Sequence, residues 1–265
     1  MNAPTAGRVT TRKEAAIGWI TFDQPQRHNA MSLAMWQGLH DAALAFDVDP
    51  EVRVVVLQGA GGKAFVSGAD ISEFEEKRSS GATIRDYDAC SQGASAALRD
   101  LGKPTIAAIH GYCMGAGVAI ALCCDLRIAS DAARFAVPAA KLGLGYEFGG
   151  VRRLVEVVGP SFAKEIFYTA RQFSAQEAHG MALVNRVVPV DGLEAYVREY
   201  AAGIASNAPL TVGSIKTLVG QVLKDASERD EALCREVVER CFASEDYVEG
   251  RRAFMEKRKP KFQGR

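Results

Sequence analysis

The sequence predicts an α/β protein whose last quarter turns wholly helical, and three observations carry that reading. Two apolar runs, at 54–57 and Thr105–Ile109, are rich in branched or small residues and read as strands buried on both faces. Segments of helical spacing alternate with strand-like segments through the first two hundred residues. Beyond Gly192 the spacing is helical to about residue 257, with Pro209 separating two helices. One boundary follows, near residue 200: a core over 1–200 and a helical region over 201–265.

Taken in order, 9–13 and 17–22 form a hairpin turning around Ala15 and Ala16. Met35, Leu39, Ala42 and Ala43 repeat at helical spacing within 32–46, and Ser32 stands where an N-cap belongs. After the strand at 54–57 and a loop at 59–64 comes Phe65-Val66-Ser67-Gly68-Ala69-Asp70, then a short helix to about Glu76. An alanine-rich helix at 84–101 leads into the strand Thr105–Ile109, a glycine-rich turn, and an apolar helix starting near Gly115. Short strands follow at 126–129 and Arg134–Ala136, with helices at 150–158, 161–170 and 174–181. Gly159 stops the first of these, and Ser174 with Glu177 makes a capping box on the third. The last strand spans 184–188.

Composition narrows the function classes. Lys plus Arg and Asp plus Glu number 32 each, so no net charge points to nucleic acid or an anionic membrane. The only stretch a hydropathy scan would flag, 106–124, contains His110, Tyr112 and three glycines, and reads as a buried strand, turn and helix. The first residues lack the apolar core of a signal peptide, and the six cysteines show no paired spacing. A cytoplasmic protein with reduced thiols, no metal site and no separate cofactor is expected.

Two glycine-bearing turns carry the chemistry. In TIAAIHGYCMGAGVAIALCCD the bare backbone of Gly111, Gly115 and Gly117 precedes a helix N-terminus, where unpaired N–H groups favour a developing negative oxygen. Ser67-Gly68-Ala69-Asp70 repeats that passage from strand through glycine to helix. Two such turns can aim one N–H each, from Ala69 and Ala116, at a single carbonyl oxygen and so stabilise an enolate or tetrahedral oxyanion. A dinucleotide fingerprint fails at Ile120 and lacks a properly spaced acidic residue. No Gly-x-Ser-x-Gly elbow surrounds Ser67.

FVSGADISEF, HGYCMGAGVAIALCCDLRIAS and PAAKLGLGYEFGGVRRL, in this order and spacing, resemble the crotonase superfamily of enoyl-CoA hydratases and isomerases. QPQRHNAMS near the start and EGRRAFMEKRKPKF near the end extend the resemblance over nearly the whole chain. It implies a ββα spiral core and a C-terminal helical region that assembles a homotrimer or a dimer of trimers. It also implies an acyl-CoA thioester as substrate, with coenzyme A part of that substrate and the thioester oxygen held by Ala69 and Ala116. Arg27 and His28 would contact the coenzyme A portion, and Ala30, Ser67, Gly68, Asp70, Ile71 and Gly115 would belong to the substrate-binding site. Tyr146 either binds substrate or packs, and Lys257 either reaches the nucleotide end or belongs to a solvated basic tail. Ser72 stands where many relatives carry Lys, weakening one phosphate contact.

The two glutamates of family hydratases fall on Ala119 and Ala139. Hydration needs a positioned water and proton delivery to the α-carbon, commonly shared by two acid/base groups, and alanine does neither. Glu147 remains: either burial between Tyr146 and Phe148 raises its pKa toward a useful value, or it is a surface-loop glutamate ahead of a glycine turn. One carboxylate suffices for a 1,3-proton shift, so double-bond isomerisation with Glu147 as acid/base is favoured. Hydration by another group, decarboxylation and C–C cleavage stay open, as does a CoA-thioester-binding protein without turnover. Asp70 is read as a helix cap before a catalytic group, Asp125 as a brace of the turn after the buried helix, and His110 as a satisfied core histidine.

Overall fold

The computed structural model describes residues 7–70 and 81–265. Ile71, Ser72 and the short helix expected to Glu76 lie outside the described residues. Two sheets organise the chain. The larger runs β1 (Arg8–Glu14), β2 (Ile17–Asp23), β3 (Val54–Gly59), β5 (Thr105–Ile109), β7 (Leu126–Ser130) and β10 (Arg186–Val188), parallel apart from the β1–β2 hairpin. The smaller is built of short strands, β4 (Ala64–Val66), β6 (Tyr112–Met114), β8 (Arg134–Ala136) and β9 (Phe173–Ser174). Each long strand β3, β5 and β7 is followed at once by a short one in the second sheet, so the chain winds as a spiral of turns.

β6 replaces part of the turn expected between the strand and helix of the glycine-rich segment. The step from β5 to β6 passes through Gly111, at φ +59°, where a Cβ would lie 1.9 Å from the Lys63 carbonyl oxygen. That carbonyl instead accepts the Tyr112 N–H at 3.1 Å. A side chain at 111 would push the chain entering β4 away from the start of β6.

Alternation along the long strands separates two cores. Ile17 and Trp19 of β2, Val54 and Val56 of β3, and Ile106 and Ala108 of β5 face α6 (Leu193–Ala205). Ile20, Phe22, Val55, Leu57, Ala107 and Ile109 point the other way, toward α1 (Leu33–Val48) and α2 (Gly81–Asp100). The runs at 54–57 and Thr105–Ile109 are therefore apolar throughout because both faces are covered. Val197, Ala201 and Ala205 belong to the first core, so a boundary at residue 200 cuts through a helix that packs on the sheet.

The remaining helices are α3 (Ala116–Cys123), α4 (Phe148–Thr169), α5 (Ala175–Gly180), α7 (Pro209–Val222), α8 (Glu231–Ala243) and α9 (Glu245–Met255). Ser32 caps α1 by accepting the Met35 N–H, and the Ser174–Glu177 box caps α5. The helices expected at 150–158 and 161–170 run together as α4, kinked where Gly159 turns to φ +77° before Pro160. Asp125 does brace the segment: its Oδ2 accepts the Thr105 N–H at 2.7 Å and the Thr105 hydroxyl at 2.9 Å, and Lys216 of α7 pairs with it at 2.9 Å. His110 departs from expectation. Its Nε2 is buried without a hydrogen-bond partner, and burial holds its pKa below the ordinary histidine value, so the ring is packed as a neutral group.

Behind α3 lies a buried cation. Arg127 donates through Nη1 to the Cys124 and Ala121 carbonyls, at 2.7 and 3.3 Å, and through Nε to Leu183 O at 2.8 Å. The charge sits against the negative end of the α3 dipole and ties that helix to the segment before β10. Among the described residues no helix is long and apolar enough to cross a membrane, and no cluster of metal-ligating side chains occurs. Arg127→Met leaves three buried carbonyls without this donor, and chemical denaturation should show a stability loss of about 3 kcal/mol.

Candidate functional site

The second sheet brings the two glycine turns into contact. Gly68 follows β4 at φ +128°, and Gly115 follows β6 at φ +49° and ψ −106°, a conformation that glycine alone adopts without strain. A Cβ on Gly115 would be 3.9 Å from the Gly68 Cα, so the two turns lie side by side. Gly117, the second residue of α3, lies against β4, where a Cβ would fall 2.2 Å from the Val66 carbonyl oxygen.

Hydrogen bonding turns the next amide of each loop outward. Residues 31 and 69 form a parallel bridge in which the Met31 N–H donates to Gly68 O at 2.8 Å and the Asp70 N–H donates to Met31 O at 2.9 Å. This pattern uses the groups on either side of Ala69 and leaves the Ala69 N–H on the opposite edge. Ala116 is the first residue of α3, so its N–H has no intrahelical acceptor, while Gly115 N–H is engaged by Ala136 O at 2.9 Å. Both alanines line one cleft of about 760 Å³. Two donors in one cleft, neither engaged among the described residues, can receive a carbonyl oxygen and hold the negative charge it gains.

The cleft runs between α2 and the loop leading into α4, with Ala116 and Ala119 of α3 on its floor. Glu147 faces it, where Gln92 Nε2 of α2 donates to Glu147 Oε2 at 2.8 Å across the opening. Burial between Tyr146 and Phe148 is not found: Glu147 is exposed, and Phe148 is 80% exposed because it starts α4 on the outer side. Tyr146 does line the wall. Its ring packs edge-on to Phe167 at 4.8 Å, and desolvation pushes its phenol above the usual tyrosine pKa, keeping it protonated. Ala119 lies on the floor, but Ala139 is buried in the core.

Asp70 has a role besides any cap on the segment after it. Its buried carboxylate accepts Arg27 Nη1 at 2.9 and 2.8 Å, one distance to each oxygen. Arg27 is thereby committed to fixing the Ala69 loop. His28, at φ +51°, stacks edge-on to Tyr112 at 6.0 Å, and its carbonyl accepts the Ser67 N–H at 3.1 Å. Ala30 is buried beneath this turn, and the Ser67 hydroxyl donates to Arg27 O at 3.3 Å. Lys257, exposed past α9 at φ +53°, does not line the cleft of its own chain.

Sequence reading passed over Asp88, Ser91, Gln92, Ser95 and Arg153, all of which line the cleft. The signal was present: within α2, Asp88, Ser91, Gln92, Ser95 and Arg99 recur three or four apart among alanines, a polar stripe on a helix expected only to pack.

A family model for enoyl-CoA hydratase/isomerase matches residues 12–265. The crotonyl-CoA hydratase of Syntrophomonas wolfei is 34% identical over 254 residues, covering 96% of this chain and 97% of its own. A short-chain-enoyl-CoA hydratase of Clostridium acetobutylicum is 37% identical over 253 residues, 95% of each. A crystal structure of an enoyl-CoA hydratase/carnithine racemase from Magnetospirillum magneticum superposes with a TM-score of 0.93 at 37% identity, over 97% of this chain and 96% of that one.

The Arg27–Asp70 pair bears on the site through the Ala69 loop. Arg27→Met should lower stability by about 2 kcal/mol, the pair being buried on one side only. Hydrogen exchange should register at least a tenfold faster Asp70 amide.

Proposed function

This chain belongs to the enoyl-CoA hydratase/isomerase (crotonase) family, and from that premise we propose that it adds water to, or removes it from, an enoyl-CoA thioester through an enolate held by the Ala69 and Ala116 amides. The observation that carries the reading is the pair of unengaged N–H groups lining one cleft. Their donation to the thioester oxygen strengthens as negative charge develops there, so the enolate gains more than the ground state.

Glu147 carries the proton. As the water oxygen bonds to C3, Glu147 takes one water proton and the C2=C3 electron pair moves into the enolate. The same carboxylic acid then returns that proton to C2, giving the 3-hydroxyacyl thioester. One carboxylate thus serves both half-steps, with Gln92 orienting it. The hydratase names carried by whole-length relatives at 34 and 37% identity favour this order over the isomerisation preferred from sequence.

Isomerisation remains the second reading, supported by Ala119 on the cleft floor and Ala139 in the core, where hydratases of the family resemblance carry glutamates. In that reaction Glu147 removes a C2 proton from a 3-enoyl thioester and returns it to C4.

Assembly into trimers, singly or paired, belongs to the same proposal, with the C-terminal helices as its contact region. Ile215 and Val219 of α7, Phe242 of α8, and Val248, Phe254 and Met255 of α9 are all more than half exposed, and they border two apolar hollows of about 970 and 840 Å³. Apolar side chains grouped in this way on a surface mark a contact site.

Following water addition and double-bond migration separately, on 2-enoyl-CoA and 3-enoyl-CoA, tests the chemistry. Glu147→Gln should slow hydration by about 10²- to 10⁴-fold. Hydration unchanged in that variant would remove Glu147 from the mechanism; migration without hydration in the natural protein would install the second reading. Thioester binding without turnover would mark a binding protein. Phe254→Asp should yield a smaller species by analytical ultracentrifugation.

A further inference from the structure

We propose that the inner end of the cleft is an anion subsite, seated on Arg153 and selecting acyl-CoA thioesters whose acyl group ends in a carboxylate. This rests on the acyl-CoA reading above and adds the class of acyl group.

Arg153 is half-buried on α4 and lines both the main cleft and a small cavity of about 20 Å³ beside Ala119. Its Nη1 donates to the Cys123 sulfur at 2.9 Å. Cys123 is buried, and desolvation raises its thiol pKa, so it offers a neutral sulfur rather than a counter-charge. No carboxylate lies within 4.0 Å of Arg153 among the described residues. The guanidinium thus lies at a cavity wall with a neutral sulfur for its partner, and its remaining N–H fork matches a carboxylate in a bidentate way.

The rest of the cleft is polarised to suit. Ser91, Ser95 and Arg99 follow one another at intervals of four along α2, so hydroxyl donors lead toward a second guanidinium. Arg99 pairs outward with Asp100 at 3.0 Å, yet both Arg99 and Arg153 act electrostatically on Cys123, which places the two cations around the same point. The cleft's carboxylates among the described residues, Asp88 and Glu147, sit at the level of Tyr87 and Gln92, nearer the start of α2. The negative groups and the positive groups are thus separated along the helix.

Distance sets the acyl length. Ala116, whose amide faces the thioester, and Cys123, beside Arg153, are seven residues apart on α3, about 10 Å along the helix. An extended acyl chain of roughly eight carbons spans that gap. A neutral alkyl end offers the remaining Arg153 N–H fork no acceptor, and a cationic end would be repelled.

The test is equilibrium binding by calorimetry of two saturated, unreactive thioesters of equal length, octanoyl-CoA and its ω-carboxy counterpart. The natural protein should bind the ω-carboxy thioester at least tenfold more tightly. Arg153→Met should bring the ratio of the two affinities near one, and Arg153→Lys should restore part of it. Equal binding of both by the natural protein overturns the subsite and leaves the acyl-CoA reading standing; a preference that survives Arg153→Met also overturns it. Failure of both thioesters to bind overturns the two readings together. The comparison in the natural protein needs no variant to fold.

Discussion

The approach of α3 to the second sheet governs everything around the cleft. Gly117 rests so close to the Val66 carbonyl that a single added carbon would come within 2.2 Å of its oxygen. That closeness lets the N-terminus of α3 sit beside the turn after β4, with Gly115 against Gly68. A helix is rigid and its first amide is free by geometry, so once its end is pinned the Ala116 N–H has one direction. The Ala69 N–H is fixed from the other side, because the bridge to Met31 consumes the groups flanking it. Two donors are therefore preorganised by backbone packing alone, with no side chain to be ordered.

The spiral explains why this contact forms. Each passage from the large sheet to the small one reverses little and costs few residues, so the short strands β4, β6 and β8 align side by side with their following turns on one edge. Polar side chains reinforce the frame behind that edge. Asp125 joins the start of β5 to α7, and Arg127 clamps the end of α3 to the segment before β10. The cleft side, by contrast, is lined with small and uncharged groups at the floor and with charge at its walls. In the proposed reaction, binding energy from such walls is spent on orientation, while the amides act on the reacting oxygen.

Much of the fold was legible because its signals are local. Ser32 and Glu177 announce caps by their own hydrogen-bonding reach, and the runs at 54–57 and Thr105–Ile109 announce strands covered twice. The small sheet was harder to read. Tyr112–Met114 is three residues long, too short for any periodicity, and it becomes a strand only because Ala64–Val66 and Arg134–Ala136 flank it. In the site, Ala69 and Ala116 were legible through the glycines beside them. The polar stripe of α2 was not, since a serine or arginine in a helix looks alike whether it faces water or a cleft. Glu147 was placed in the right loop but its exposure was left open, because burial depends on where α4 begins its turn.

By itself, then, the sequence determined the alternation of strands and helices, the two glycine turns, the family, and the absence of two carboxylates at Ala119 and Ala139. Those are properties of residue type and spacing along one line. Tertiary structure alone decided that Arg27 serves Asp70, that Gln92 meets Glu147 across 55 residues, and that Arg153 stands at the inner wall with a neutral sulfur for a partner. Each joins groups far apart in the chain, and packing, not local preference, selects which of many such pairs come within a hydrogen bond's length.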